Sequence, residues 1–212
     1  MSDVPEIQQD KAVLRTHLLA ARSGLAADRR RGAGRLIRDA LLDLPALQMA
    51  GTVAAYYSVG TEPDTRGLVF ALWKRGTYVL LPLLRPDGDL DWASYEGPDS
   101  LVPGPRGLRE PGEPPRGAQA VARADVVLAP ALAVDRAGNR LGRGGGSYDR
   151  ALARVGPLIP VIALLYDGEL LGHVPAGPHD TPVRAAVRPA SGITWLPVGA
   201  SPSATARSGR GI

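Results

Sequence analysis

Residues 138–150 read GNRLGRGGGSYDR. Four glycines, Gly142, Gly144, Gly145 and Gly146, fall among Arg140, Arg143, Tyr148, Asp149 and Arg150. A backbone without side chains lets N–H groups approach a ligand closely. Arginine adds permanent charge and forked donors that match phosphate or carboxylate. A bare turn would account for the glycines but has no need of three arginines. The stretch therefore reads as an anion site, with a nucleotide phosphate as the expected ligand. It is not a Walker loop, because no Gly-Lys-Ser/Thr follows. It also fails the dinucleotide fingerprint, because Ser147 stands where the third glycine belongs.

Such a loop needs rigid elements on both sides. An apolar run, VVLAPALAV (126–134), precedes it and reads as a strand. A helix is expected from Ser147 onward, so the loop would sit at a helix N-terminus, where anions bind. Upstream, Val13, Leu14 and Leu18 recur at helical spacing, which predicts a helix over 10–22 with Asp10 as its cap. Lys11 and Arg15 then share one face. A second helix is expected over 27–44 and a strand over 52–57, running into the loop SVGTEPDT. A helix over 65–75 precedes a short strand over 78–81 that Pro82 ends. The proline-rich stretch 86–115 holds one expected strand, 90–95. A helix or loop near 118–123, a strand over 125–128, another over 160–165 and one more within 179–187 complete the reading.

Strands alternating with helices predict an α/β fold: a single domain with a mostly parallel sheet and helices on both faces, Rossmann-like and three-layered. That domain is expected over 1–198. Residues 199–212, rich in Ser, Ala, Gly and Arg, read as a disordered tail. Ligands in such folds gather beyond the C-terminal strand ends. Three polar clusters should meet there, at 58–65, at 139–149 and at His179–Asp180, with Lys11 and Arg15 joining from the first helix.

Composition narrows the partners. The net charge of +4 is carried by 23 arginines and 2 lysines scattered along the chain. No basic stripe with interleaved aromatics appears, so nucleic acid is not an expected partner. Apolar runs fall short of the roughly 20 residues a membrane helix needs. The polar, acidic N-terminus lacks the features of a secretion signal. With no cysteine in the chain, disulfides and thiolate chemistry are excluded. A cytoplasmic protein, monomeric or dimeric, is expected. His173 and His179 have no partner at metal-ligand spacing, and without a Gly-x-Ser-x-Gly motif serine hydrolysis has no support.

Taken together, five segments resemble the 5-formyltetrahydrofolate cyclo-ligase family, from about Lys11 to Val183. They are the helix with Lys11 and Arg15, the loop Glu62-Pro63-Asp64-Thr65, a G-x-x-E-P element from Gly107 to Pro111, GNRLGRGGGSYD, and Val174-Pro175 with His179-Asp180. The glycine-arginine motif is the specific one. The resemblance implies ATP- and Mg2+-dependent closure of 5-formyltetrahydrofolate, a reduced folate, to 5,10-methenyltetrahydrofolate, with release of ADP and phosphate. The formyl oxygen is a poor leaving group, and a transferred γ-phosphoryl would convert it to a good one. By the same resemblance ATP is held by Lys11, Arg15, Arg140, Gly142, Arg143, Gly144, Gly145, Gly146, Ser147 and Tyr148. Arg143 and Tyr148 would be catalytic. Tyr57, Glu62 and Arg143 would contact the folate, and Asp149 and Asp180 would be the magnesium ligands.

Three positions depart from the family pattern. Ser147 stands for a tyrosine, Arg106 for an aromatic ahead of G-x-x-E-P, and Arg184 for an aspartate. They support an alternative: a diverged relative that binds nucleotide, and folate with it, without this turnover.

Overall fold

The computed structural model describes residues 3–197. In chain order the strands are β1 (Thr52–Ala54), β2 (Tyr78–Leu84), β3 (Leu90–Ser94), β4 (Leu101–Pro103), β5 (Arg109–Pro111) and β6 (Val126–Pro130). They continue as β7 (Ala133–Asp135), β8 (Arg140–Leu141), β9 (Val161–Leu164), β10 (Leu170–Leu171), β11 (Ala185–Arg188) and β12 (Gly192–Trp195). The helices are α1 (Asp3–Ser23), α2 (Ala27–Leu42), α3 (Pro45–Gln48), α4 (Arg66–Lys74) and α5 (Ser147–Leu152). None of the described helices is long and apolar enough to cross a membrane.

The main sheet has seven strands in the order β12-β11-β9-β6-β1-β2-β3. Its five inner strands run parallel, and β12 and β3 close the edges antiparallel. Because successive side chains point to opposite faces, each strand feeds two cores. Val53, Val79, Leu128 and Ile162 pack with Ile37 and Leu41 of α2, Leu47 of α3 and Leu68 and Leu72 of α4. Their neighbours Ala54, Leu80, Val127 and Ala163 pack on the other face with Leu152 of α5 and with Val121 of the 3-10 turn Ala118–Arg123. The expected three-layer α/β fold, with helices on both faces, is the one observed.

Several boundaries differ from expectation. The first helix begins at Asp3, so Asp10 lies inside it rather than capping it. Pro5 falls in its opening turn, where a missing N–H costs nothing. The strand expected over 52–57 is regular only to Ala54. The strand expected to stop at Pro82 runs to Leu84. Leu80 turns its carbonyl toward β1, accepting from Ala55 N–H at 2.9 Å. Pro82, two residues on, faces the same side beyond the last residue of β1, where the ladder needs no donor. The stretch 86–115 holds the hairpin β4–β5 as well as β3, and β10 and β12 were not anticipated. The tail 199–212 lies outside the described residues.

The largest correction concerns the run 126–134. It is not one strand leading into the glycine loop. After Pro130 the chain leaves the main sheet, and β7 pairs with β8 and β10 in a separate three-stranded sheet. Leu18 of α1 packs on that sheet with Leu132, Ala133, Leu141 and Val174. A buried ion pair anchors the same helix. Arg22, 1% exposed, donates from Nε and Nη2 to the two carboxylate oxygens of Glu169 at 2.7 and 2.8 Å. Its Nη2 also reaches the Ala131 carbonyl at 2.6 Å. Glu169 in turn accepts from the Tyr166 N–H at 2.7 Å.

Removing one partner from a buried, hydrogen-bonded ion pair leaves a charge with no compensation, at a cost of about 3–5 kcal/mol. Glu169→Leu should lower the unfolding free energy by about that much in urea titrations. The double variant Arg22→Met/Glu169→Leu should recover only part of the loss, since the Ala131 carbonyl and Tyr166 N–H would remain unpaired. A single variant as stable as the parent would contradict this account of the anchor.

Candidate active site

One cavity of about 980 Å3 opens beyond the C-terminal ends of β1, β2 and β6. Every residue that the resemblance assigns to ATP, folate or magnesium lines it. Lys11 and Arg15 come from α1, and Tyr57 and Glu62 from the loop after β1. Arg140, Gly142, Arg143, Gly144, Gly145 and Gly146 come from β8 and the loop that follows. Ser147, Tyr148 and Asp149 belong to α5, and Asp180 precedes β11.

A buried carboxylate sets the glycine loop in place. Asp135 accepts from the N–H groups of Ala137 and Asn139 and from the Asn139 amide, each at 2.9 Å, and from Val174 N–H at 3.1 Å. Gly138, at φ +88°, lies so close to the chain before β11 that a Cβ there would fall 2.5 Å from the Val183 carbonyl oxygen. Only glycine allows that approach, and through it the segment carrying Asp180 is drawn toward the loop. Gly144 is also left-handed, at φ +101°. It packs against the Arg15 guanidinium, which donates from Nε to the Gly142 carbonyl at 3.0 Å.

Three cations of the cavity are matched with carboxylates from other segments. Lys11 pairs with Asp180, Arg140 with Asp149 at 2.7 Å and Arg143 with Glu62 at 3.3 Å. Asp180 also accepts from Gly177 N–H at 2.6 Å. Thr181, beside Asp180, donates to the Asp149 backbone carbonyl at 3.1 Å, which brings the two acidic segments together. Among the described residues no group of three His, Asp or Glu side chains is placed to hold a metal ion unaided. Two carboxylates in one cavity suit a magnesium ion that draws its remaining oxygens from phosphates and water.

Glu62 is deep in the cavity. Burial pushes its carboxyl above the ordinary range, against the Val59 N–H and the Arg143 charge, which pull it down. The Val59 hydrogen bond is 3.0 Å. The hydroxyls of Tyr56 and Tyr148 are buried without a hydrogen-bond partner among the described residues. Burial raises both phenols, with the Glu62 charge adding to it. Both therefore stay protonated near neutral pH, as donors and not as bases. Tyr148 also lies under the Arg140 guanidinium, 5.9 Å from ring centroid to Cζ.

Three expectations change. The helix after the loop has only six residues, so its dipole adds little and the charge comes from side chains. The Ser147 hydroxyl donates to the Gly88 carbonyl at 2.5 Å, so Ser147 would meet a ligand through its backbone. Arg184 is not among the cavity residues; its N–H bonds Val161 and its carbonyl accepts from Leu196 at the entry to β11. Glu110 of G-x-x-E-P, which lines the cavity, also has a structural task, accepting from Leu84 N–H at 2.8 Å. Sequence reasoning missed Arg22, Tyr56 and Asp135. The partners of Arg22 lie 109 and 147 residues away, beyond any local pattern. Asp135 carried a weak signal, an aspartate four residues before an asparagine at a turn glycine.

Comparison with known proteins gives consistent results. A profile of the 5-formyltetrahydrofolate cyclo-ligase family matches residues 7–189. A protein named 5-formyltetrahydrofolate cyclo-ligase from Mycolicibacterium smegmatis is 42% identical over 194 residues, covering 89% of this chain and 98% of the relative. One of the same name from Escherichia coli is 32% identical, covering 82% of this chain and 97% of the relative. The solved structure of a 5,10-methenyltetrahydrofolate synthetase from Aquifex aeolicus superposes with a TM-score of 0.76 at 26% identity, covering 95% of each chain.

A carboxyl whose folded-state pKa lies above its unfolded value favours folding while protonated. That contribution is present below the unfolded value and is lost as pH rises through the folded one. Arg143→Ala removes a charge that holds Glu62 down. The Glu62 titration, followed by its carboxyl 13C shift, should move further up. Stability should then fall more steeply as pH rises above the ordinary glutamate range. An unmoved or lowered titration would show that Arg143 does not act on Glu62.

Proposed function

This chain belongs to the 5-formyltetrahydrofolate cyclo-ligase family, and from that premise we propose that it closes 5-formyltetrahydrofolate to 5,10-methenyltetrahydrofolate at the expense of ATP. The observation that carries the reading is the convergence of Lys11, Arg15, the loop 142–146 and Glu62 on one cavity. The γ-phosphoryl passes to the formyl oxygen and ADP leaves. The folate N10 then attacks the activated carbon and gives up its proton, and the carbon–oxygen bond breaks to release phosphate. Phosphoryl transfer asks a protein mainly for position and positive charge. Lys11, Arg15 and Arg140 orient the triphosphate, and Arg143 stabilises charge on the group in transit. Tyr148 donates its phenolic proton as a hydrogen bond from a dry site. Glu62 accepts from the pterin N–H donors, and Tyr57 lines the ring.

Asp149 and Asp180 are the residues that would hold magnesium, which when bound neutralises phosphate charge. Nucleotide entry offers Lys11 and Arg140 new partners and so releases both carboxylates. The alternative of a non-catalytic relative loses one of its supports, because Arg184 stands outside the cavity. The same reading puts the chain in the cytoplasm as a monomer or dimer.

Mixing the protein with magnesium-ATP and 5-formyltetrahydrofolate should give the absorbance of the methenyl product; no absorbance change would defeat the assignment. Arg143→Ala should cost about two to four decades in turnover with the fold intact. Glu62→Gln should impair folate use while ATP binding persists, and a silent Glu62→Gln would remove the pterin role.

A further inference from the structure

The glycine loop is exposed over 143–145, and glycine has more backbone freedom to lose than any other residue. Contacts from outside must hold it. At its start Arg15 does so, through the Gly142 carbonyl. At its end stands α5, whose six residues are too few to keep a helix formed unaided. The contacts come from the turn 85–89 between β2 and β3. The Gly88 carbonyl accepts from the Ser147 hydroxyl at 2.5 Å and from Arg150 Nη2 at 2.6 Å. The same Arg150 nitrogen reaches the Gly145 carbonyl at 3.3 Å, so one guanidinium joins the turn to the loop. Asp89, the next residue of the turn, accepts from both terminal nitrogens of Arg154, at 3.0 and 2.6 Å. Arg150 Nε lies 3.9 Å from the same carboxylate.

The turn that grips α5 is itself fixed. Arg85 N–H donates to the Asp89 carbonyl and Gly88 N–H to the Arg85 carbonyl, each at 3.0 Å. Beyond it β2 and β3 pair from Leu84 and Leu90 onward, in the main sheet. The Arg154 hydrogen bonds hold the Asp89 carboxyl below the ordinary carboxylate range, as a carboxylate that is charged within the contact requires. Neither Asp89 nor Arg154 lines the cavity, so the pair acts on a ligand there only through other groups. Ser147 adds a contact that the family pattern lacks. A tyrosine in its place would carry the hydroxyl a ring's length farther from the backbone, past the Gly88 carbonyl.

We propose that Asp89 is a positioning residue for the nucleotide. Through Arg154 and Arg150 it latches the end of the glycine loop to the main sheet, and the Ser147 hydroxyl completes the latch. The inference rests on the reading of the loop 142–146 as the phosphate cradle and adds what orders that cradle. Backbone N–H groups serve an incoming phosphate best when they are already in place, because ordering them at binding costs affinity.

The test compares the parent with Asp89→Asn, Arg154→Ala and Ser147→Ala. It reads amide hydrogen exchange over 150–154, Kd for ATP by calorimetry without folate, and KM for each substrate. Asp89→Asn should speed the exchange about tenfold, in keeping with a charge-assisted pair at a partly exposed place. Kd and KM for ATP should rise about three- to tenfold, as that loss of order implies. KM for 5-formyltetrahydrofolate and the exchange along α1 should hold. Arg154→Ala should match it, and the double variant should be no worse than either, since both remove one contact. Asp89→Glu should restore part of the ATP affinity, and Ser147→Ala should show a smaller loss of the same kind. Unchanged ATP affinity in Asp89→Asn and Arg154→Ala overturns the proposal. So does a loss spread evenly over both substrates and over α1, which would make the pair a general stabiliser. A parent that shows the expected pattern for ATP yet yields no methenyl product would instead defeat the cyclo-ligase reading and leave the latch standing.

Discussion

A guanidinium buried to 1% exposure tolerates the protein interior only if its charge and its donors are met. Arg22 meets that condition through Glu169 and the Ala131 carbonyl, and much of the site depends on the result. Helix α1 belongs to neither of the two cores that sandwich the main sheet. It lies on the small sheet β10-β7-β8, with Leu18 as its buried apolar contact. The ion pair fixes it there, and α1 carries Lys11 and Arg15 into the cavity. Tyr166 joins in from the same corner. Its ring lies 5.4 Å from the Arg22 guanidinium, and its hydroxyl donates to the Glu62 backbone carbonyl at 3.2 Å. One buried pair thus connects the two ends of the cavity.

The cavity is also a place where opposite charges are held in reserve. In pairs such as Lys11–Asp180 and Arg140–Asp149 each group keeps the other from being an uncompensated charge at low dielectric. Strongly attractive sites for anions and for cations therefore coexist without either dominating. A ligand that brings both signs together, phosphates with their counterion, can exchange partners with the pairs at little net cost.

Much of this was legible in the sequence, for identifiable reasons. The glycine-arginine loop combines a rare spacing with residue types that serve phosphates, and the alternation of strands and helices follows from periodicity. Cavity placement then follows from strand polarity, which put Glu62, the loop 142–146 and Asp180 on one side. What was illegible depends on distant partners. The split of 126–134 into β6 and β7 is decided by pairing with β8 and β10, not by the apolar run itself. Pro82 reads as a terminator until the end of β1 is known. Ser147 reads as a lost aromatic until the Gly88 carbonyl is found against its hydroxyl.

The long reach of α1 has a consequence for how the protein is made. The contacts that seat this helix come from Ala131, Glu169 and Asp180, which lie 109, 147 and 169 residues further along the chain. A ribosome delivers α1 first and its partners almost last. Throughout most of synthesis the helix has its cationic face without the acids that neutralise it, and its apolar stripe without the small sheet beneath it. The parallel core from β1 to β9 can form in the meantime, because its contacts are supplied earlier. The cavity is thus among the last parts of the molecule to mature, and a chain released before Asp180 would carry much of the fold yet lack a finished cavity.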